Sequence, residues 1–180
     1  SKNILLIGFM GSGKTTVANA LAPLLDYSIL ETDTLIEERE GCSISDLFKT
    51  KGEAYFREQE GALLPQLKER KRTIISTGGG FPLQEQISTQ IKILGYVVYL
   101  EASIDCIYQR LKGDKTRPLY QEGSLDLAFQ SAPHPFKTLY EKRCPEYEEL
   151  ADSQVLTDKK SPEEIAKTIF TRYTEYINSV

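Results

Sequence analysis

The chain has 180 residues, of which 40% are hydrophobic and 27% are charged, and its formal net charge is -4 at neutral pH. This length suits one domain with a substantial core, and the acidic balance gives no electrostatic reason to expect a nucleic-acid partner. No apolar run approaches the length of a membrane span, and the first residues enter a predicted strand, which leaves no room for a signal peptide. Three cysteines without metal-binding spacing predict reduced thiols, and the single His134 argues against histidine-based catalysis. We therefore expect a cytoplasmic protein with no membrane partner.

The first predicted element is a short strand, residues 4–7, whose unbroken aliphatic run is typical of a strand buried on both faces. It leads into GFMGSGKT, residues 8–15, which fits the phosphate-loop pattern G-x-x-x-x-G-K-S/T at every fixed position. The glycines let backbone N–H groups turn around phosphate oxygens, and a helix beginning near Lys14 directs its positive end at the same anion. Lys14 would bind the β- and γ-phosphates, and the Thr15 hydroxyl would bind magnesium. The pattern predicts a nucleoside triphosphate site; the alternative is a glycine-rich turn that binds nothing.

Four further apolar runs predict strands, and helical patterns separate them. This alternation indicates crossover connections and a parallel sheet, which binds ligands at the carboxyl ends of its strands. Ser43 opens a short predicted helix with a capping-box pattern, a longer helix covers residues 52–68, and Ser161 opens the last one. The irregular stretch at about residues 112–123 is long enough for a lid, and no linker divides the single domain, residues 1–180. The four predicted strands cover residues 27–30, 73–76, 96–100 and 154–157.

Two polar segments follow predicted strands. Glu31-Thr32-Asp33 comes after the second strand, where one carboxylate can face magnesium and the other a substrate hydroxyl. A helix start that favours acids and a threonine cap is the alternative. Residues 77–80, TGGG, follow the third strand, and their three glycines favour close approach of the backbone to a ligand over a merely flexible turn.

Four arginines outside the phosphate loop are candidates, although each alone is an ordinary surface residue. Arg117 lies in the predicted lid, where it can close on a transferring phosphoryl group. Arg110, just before the lid, can lie flat on a nucleotide base. Arg57 and Arg143 carry no distinguishing feature in isolation.

Taken together, these segments resemble a shikimate kinase, a small member of the nucleoside monophosphate kinase branch of phosphate-loop proteins. The resemblance covers nearly the whole chain in the family's order. The phosphate loop alone would not separate this family from its relatives, but the triple glycine, the lid Arg-Pro-Leu and the Arg-x-Pro-x-Tyr segment together do. The matching segments are residues 8–16, Glu31-Thr32-Asp33, Phe56-Arg57 with Glu60, residues 77–80, residues 116–119, residues 143–152 and residues 157–162.

The resemblance implies a three-layer α/β/α P-loop kinase fold with a five-stranded parallel sheet. It also implies a mobile lid at about residues 112–123 and a substrate-binding helical region over about residues 33–61. The implied reaction moves the γ-phosphoryl of ATP, with Mg²⁺ as cofactor, to the 3-hydroxyl of shikimate. The implied partners are therefore ATP and shikimate, bound by a monomer.

The resemblance also implies roles on the nucleotide side. Lys14, Asp33 and Arg117 would be the catalytic residues, with Asp33 holding the acceptor hydroxyl and available to take its proton. Thr15 and Glu31 would hold magnesium. The implied ATP-binding residues are Gly11, Ser12, Gly13, Lys14, Thr15, Thr16, Arg110, Arg117 and Lys159.

On the substrate side, the resemblance implies that Arg57 and Arg143 grip the carboxylate of shikimate, with Gly79 and Gly80 lending backbone groups and Asp33 binding the hydroxyl. A rigid hydroxylated acid needs bidentate donors for its carboxylate and an acceptor for its hydroxyl, which agrees with these residue types.

Two positions depart from the family pattern. Glu31 stands where the family usually has Asp, so the same role at magnesium would involve one more methylene group. Phe81-Pro82 follows the glycines where a small and then an aliphatic residue are commoner.

Other functions share parts of this pattern. A gluconate kinase would have the same loop and fold but should lack the paired Arg57 and Arg143 with the triple glycine. A nucleoside monophosphate kinase normally carries more lid arginines. A guanine-nucleotide switch should show Asn-Lys-x-Asp and Asp-x-x-Gly strings, which do not occur in this chain. A regulator without catalysis is disfavoured by the intact Lys14, Thr15 and Asp33.

Overall fold

The computed structural model describes residues 2–111 and 135–180, and these include a sheet of five strands. The strands are β1 (Ile4–Ile7), β2 (Ser28–Glu31), β3 (Thr73–Ser76), β4 (Tyr96–Glu101) and β5 (Ser153–Leu156). Their order is β2-β3-β1-β4-β5, and every neighbouring pair is parallel. Because β1 is central and fully buried, the segment that follows it lies at the middle of the carboxyl edge.

Helices lie on both faces of this sheet. They are α1 (Lys14–Leu25), α2 (Thr32–Glu40), α3 (Ile44–Ala62), α4 (Leu64–Lys68), α5 (Glu85–Ser88), α6 (Ile91–Leu94), α7 (Ile104–Leu111), α8 (Pro135–Leu150) and α9 (Pro162–Ser179). A short 3-10 turn covers Phe81–Leu83. Among the helices of the described ranges, none is long and apolar enough to cross a membrane.

The side chains of the strands alternate between two hydrophobic clusters, as the period of a β-strand requires. Leu5 and Ile7 belong to the cluster that α2 to α8 cover, and Ile4 and Leu6 belong to the cluster under α1 and α9. The sheet is therefore the middle layer of three, and the predicted α/β/α fold with a five-stranded parallel sheet is confirmed.

The predicted strand positions agree with the structure to within one residue at each end. The first and third strands have the predicted bounds, β2 begins and ends one residue later, β4 extends one residue further, and β5 begins and ends one residue earlier. The polar segments predicted to follow the strands consequently do lie at the carboxyl edge of the sheet.

Helix α3 contains two helical segments that meet at Gly52, whose φ of 84° is not helical. This agrees with the short helix predicted after Ser43, whose hydroxyl accepts the Asp46 N–H, and with the predicted start of a longer helix at residue 52. The predicted end of that helix at residue 68 is wrong. Helix α3 ends at Ala62 because Pro65 has no N–H for an intrahelical bond and instead occupies the first turn of α4. The helix start predicted at Ser161 is confirmed, and the structure adds a full capping box there with Glu164 as the reciprocal partner.

Candidate active site

The segment between β1 and α1 forms a loop whose backbone carbonyls accept hydrogen bonds from the Lys14 side chain. Gly13 is the N-cap of α1 and has a φ of 97°, a left-handed conformation that favours glycine. The Lys14 side chain is 8% exposed, and its amine donates to the carbonyls of Gly8 at 2.7 Å and Phe9 at 3.1 Å. Thr15 and Thr16 are exposed in the first turn of α1, where the unpaired backbone N–H groups favour an anion.

A cavity of about 870 Å³, here called the larger cavity, opens in front of this loop. Its lining combines backbone from the loop, hydroxyl groups and carboxylates, which is the set of groups that a triphosphate with a cation requires. The lining includes Gly11, Gly13, Lys14, Thr15, Thr16, Glu31, Asp33, Ser76, Thr77, Gly78 and Arg110.

Glu31 and Thr15 both line the larger cavity, and both side chains carry oxygen atoms. Glu31 is half-buried at the junction of β2 and α2, and its Oε2 accepts the Thr34 hydroxyl at 3.1 Å. Within the described residues no cluster of three or more acidic, histidine or cysteine side chains could hold a metal alone. Magnesium commonly takes one or two protein oxygens and completes its shell with phosphates and water, so the pair fits this ion.

Arg110 and Lys159 differ in their relation to the larger cavity. Arg110 lines it from the end of α7, where one guanidinium nitrogen donates to Gly11 O at 3.1 Å and to the Thr157 hydroxyl at 3.3 Å. Lys159 is exposed in the turn after β5, with a φ of 58°, and is not part of the lining. The predicted lid at about residues 112–123 and Arg117 lie outside the described residues.

A second, smaller cavity adjoins the first, and its lining combines arginines with apolar side chains. Arg57 on α3 and Arg143 on α8 line it together, although many residues separate them in the sequence. Arg57 is fixed by an ion pair of 2.6 Å to Glu60 Oε1, and Arg143 lies over the Phe9 ring at 6.0 Å from its centre. The smaller cavity is lined by Met10, Asp33, Ile44, Phe48, Phe56, Arg57, Glu60, Gly78, Gly79, Gly80 and Arg143.

The three glycines after β3 each approach a different charged side chain of this cavity. A β-carbon on Gly78 would lie 2.7 Å from Asp33 Oδ1, and one on Gly80 would lie 2.6 Å from the Arg57 guanidinium. A β-carbon on Gly79 would lie 3.3 Å from the Arg143 guanidinium. The triple glycine therefore lets the backbone come close to all three side chains at once, in the positions that they now occupy.

Glu60 is the most deeply buried ionisable group in the smaller cavity, with no exposed surface. Its Oε1 accepts from Arg57 and from Gln84 Nε2 at 2.7 Å, whereas its Oε2 has no hydrogen-bond partner within the described residues. Burial raises the pKa of Glu60 to about 7, because the attraction of Arg57 only partly offsets desolvation, and the nearby Asp33 carboxylate adds to the rise. Glu60 thus changes charge near neutral pH.

Asp33 lies where the two cavities meet. It belongs to the first turn of α2 and lines both cavities, as do Ile44 and Gly78. Thr32 fixes this junction, because its fully buried hydroxyl accepts the Gly78 N–H at 3.0 Å. A group in the smaller cavity and a phosphate in the larger cavity would therefore both be close to the Asp33 carboxylate.

Several residues in or beside the smaller cavity had no individual role in the interpretation of the sequence. Met10, Phe48 and Phe56 supply apolar side chains to the smaller cavity, and Phe48 has the spacing of an ordinary core residue. Met10 and Phe56 belong to segments that carried the family resemblance, as does Tyr147 in the Arg-x-Pro-x-Tyr segment. Membership in these segments was the only signal in the sequence for these three residues.

Comparison with known proteins agrees with this site. The family model described as Shikimate kinase matches residues 10–174. A shikimate kinase from Sulfurihydrogenibium sp. is 39% identical over 171 residues, which are 95% of this chain and 97% of that protein. The solved structure of shikimate kinase from Acinetobacter baumannii in complex with shikimate has a TM-score of 0.86 at 34% identity, covering 97% of this chain and 94% of that one.

A gluconokinase from Sinorhizobium meliloti is more distant. It is 15% identical with a TM-score of 0.57, covering 99% of this chain and 94% of that one, so the likeness concerns the fold alone. The extent and identity of the first matches, together with the two cavities at the carboxyl edge of the sheet, show that this chain belongs to the shikimate kinase family.

Proposed function

We propose that this chain transfers the γ-phosphoryl group of ATP to the 3-hydroxyl of shikimate, giving shikimate 3-phosphate and ADP. The observation that carries the proposal is the position of Asp33 at the junction of two cavities. On one side of it lie Lys14 and the phosphate loop, and on the other lie Arg57 and Arg143. Phosphoryl transfer needs this kind of placement, because most of its catalysis is positioning and charge neutralisation.

On the nucleotide side, the loop backbone and the N-terminus of α1 would bind the phosphates of ATP. The Lys14 amine, which now donates to two loop carbonyls, would redirect a hydrogen bond to the β- and γ-phosphates. Magnesium held beside Thr15 and Glu31 would neutralise negative charge on the same phosphates. The Glu31 side chain is one methylene group longer than the aspartate usual in the family. The hydrogen bond that Glu31 accepts from Thr34 would restrict the movement of this longer side chain.

On the acceptor side, Arg57 and Arg143 would bind the carboxylate of shikimate, and the backbone of Gly79 and Gly80 would add to this contact. Two guanidinium groups supply planar donors that match a carboxylate. The apolar side chains that line the same cavity would pack against the carbon ring of the substrate. This arrangement favours a compact cyclic acid over the extended gluconate.

Asp33 would orient the 3-hydroxyl towards the γ-phosphate and take its proton as the new ester bond forms. A carboxylate suits this role because it accepts a hydrogen bond from the hydroxyl before transfer and the proton during it. The bond between the γ-phosphorus and the bridging oxygen of ATP breaks, and ADP leaves with the electron pair.

The remaining residue roles rest on the family resemblance and not on contacts within the described residues. Arg117, in the predicted lid, would add positive charge at the transferring group, and Arg110 would leave its carbonyl partner to cover the adenine base. Lys159 is close in sequence to Thr157, to which Arg110 donates, and would contact the nucleotide from the same side. The monomeric state and the cytoplasmic location stay predictions from the sequence.

Identification of the product tests the proposed reaction. The chain would be incubated with MgATP and shikimate, and the product examined by phosphorus NMR. We expect one phosphate ester whose phosphorus couples to the proton on carbon 3. Coupling to the proton of another carbon would contradict the assigned hydroxyl, and an ester formed equally well from gluconate would contradict the assigned substrate.

A further inference from the structure

Tyr147 connects the helix that carries Arg143 to the triple glycine. Its side chain is fully buried on α8, and its hydroxyl donates to the carbonyl of Gly79 at 2.6 Å. Burial raises the pKa of the Tyr147 hydroxyl, with the neighbouring Arg143 guanidinium opposing the rise, so the hydroxyl keeps its proton and remains a donor at neutral pH. The Tyr147 ring packs against that of Tyr99 on β4 with 5.3 Å between centres, which fixes the ring on the sheet.

This hydrogen bond determines the direction of a backbone donor in the smaller cavity. The carbonyl of Gly79 and the N–H of Gly80 belong to one planar trans peptide, so they point in opposite directions. The carbonyl points to the buried Tyr147, which does not line the smaller cavity, whereas Gly79 and Gly80 both do. The Gly80 N–H is therefore directed away from Tyr147, and in the loops and turns of the described residues no backbone carbonyl accepts it.

Two tyrosines on α8 hold the helix at different places. Tyr140, Arg143 and Tyr147 have the spacing of one helix face, with Arg143 between the tyrosines. The Tyr140 hydroxyl donates to Ala102 O at 2.7 Å, in the loop after β4. Both bonds attach α8 to the sheet edge, but only that of Tyr147 reaches the backbone beside the arginines.

We propose that Tyr147 is a positioning residue for the acceptor: its hydroxyl fixes the Gly79–Gly80 peptide so that the Gly80 N–H and the Arg143 guanidinium meet the same substrate carboxylate. This inference rests on the proposed function. The Tyr147 hydroxyl lies outside both cavities and would act indirectly, by setting the direction of the Gly80 N–H. This N–H can add to the contacts of the arginines only when it points at the acceptor.

The test compares Tyr147→Phe with Tyr140→Phe, since each removes one hydroxyl of α8 and leaves the ring. For Tyr147→Phe we expect the KM and the calorimetric Kd for shikimate to rise about five- to ten-fold, while kcat and the KM for ATP change less than about two-fold. Tyr140→Phe should leave all four values within about two-fold of wild type. An unchanged shikimate Kd in Tyr147→Phe, or an equal rise in both variants, would overturn the proposal.

A second comparison separates positioning from general loosening of the helix. The methyl ester of shikimate keeps the hydroxyls and lacks the charge, so Tyr147→Phe should weaken its binding less than it weakens binding of shikimate. An equal loss for both ligands would show that the hydroxyl does not act through the carboxylate and would overturn the inference. If the wild type failed to phosphorylate shikimate at all, the proposed function itself would fail, whereas normal wild-type turnover with an unaffected variant would reject only the role of Tyr147.

Discussion

The larger and the smaller cavity are built in different ways. The phosphate-binding part of the larger cavity comes from one continuous stretch, residues 8–16, and acts chiefly through backbone N–H groups and a helix end. The smaller cavity is assembled from α2, α3, α8 and the loop after β3, with Met10 from the loop after β1, and its proposed action is through Asp33, Arg57 and Arg143. A short local motif therefore prepares the nucleotide side, whereas the acceptor side exists only when distant segments pack together.

This difference has a consequence for substitutions. On the nucleotide side a single changed residue removes a charge but leaves the acceptor side in place. On the acceptor side the charged groups touch one another, as the pair between Arg57 and Glu60 shows, so a change in one group alters its neighbours. Variants of the two cavities should differ in which kinetic constant they change.

The largest effect is expected from Lys14→Ala, which should impair the nucleotide side and leave the acceptor side unchanged. Loss of the amine at the phosphates should lower kcat by about 10³-fold or more, while the calorimetric Kd for shikimate stays close to that of wild type. Lys167→Ala, at an exposed position on α9, is the control and should be fully active. Near-normal turnover by Lys14→Ala would show that the phosphate-loop assignment is wrong.

Asp33→Asn tests whether the carboxylate at the junction of the two cavities takes the proton of the acceptor hydroxyl. The amide has nearly the same shape but cannot take the proton, so kcat should fall about 10²- to 10⁴-fold with little change in the KM for ATP. Asp105→Asn, at an exposed position in the first turn of α7, makes the same exchange away from the site. Normal turnover by Asp33→Asn would remove this carboxylate from the mechanism.

Arg143→Lys should affect the acceptor side alone. Lysine keeps the positive charge but loses the planar fork, so we expect the KM for shikimate to rise about ten-fold or more and the KM for ATP to stay unchanged. Steady-state kinetics with each substrate varied in turn provides the measurement, and Arg39→Lys on the exposed side of α2 is the control. A rise in the KM for ATP of similar size would contradict the assignment of Arg143 to the smaller cavity.

The effect expected from Glu60 concerns stability and its dependence on pH, with no effect on a kinetic constant predicted. Its pKa is about 7 in the folded chain against an ordinary value of 4.5, so the folded state binds more protons between these pH values. The free energy of unfolding should therefore fall as pH rises through this window, by at most about 3 kcal/mol from this group. Glu60→Gln cannot ionise and should gain stability relative to wild type as pH rises.

Urea unfolding of wild type and Glu60→Gln at pH 5 and pH 8 measures this difference. Glu58→Gln, an exposed neighbour on the same helix, should show no such relative gain. A stability difference between wild type and Glu60→Gln that is the same at both pH values would mean that Glu60 is already ionised at pH 5.

The two cavities also differ in how far the sequence predicted them. The phosphate loop, the strands and the parallel order follow from local patterns, because a buried strand, a glycine-rich turn and a helix start each have their own residue preferences. Arg57 and Arg143 were identified only through family resemblance, since nothing local distinguishes them from surface arginines. The structure now brings both to one cavity, although their contacts with substrate stay predictions.

Other features could not be obtained from local patterns. The burial of Glu60 and the bond from Tyr147 to Gly79 depend on the packing of α3 and α8 against the loop after β3. The division of the predicted helix over residues 52–68 was missed for a different reason, because Pro65 ends one helix and occupies the first turn of the next.

The proposed reaction is tested most directly by the release of ADP from MgATP, measured with shikimate, with gluconate, with nucleoside monophosphates and with no acceptor. We expect rapid release that depends on shikimate alone. Release driven by gluconate or by a nucleotide would leave the larger cavity correctly assigned and contradict the assignment of the smaller one. No release with any acceptor would contradict catalysis itself and favour a regulator that only binds nucleotide.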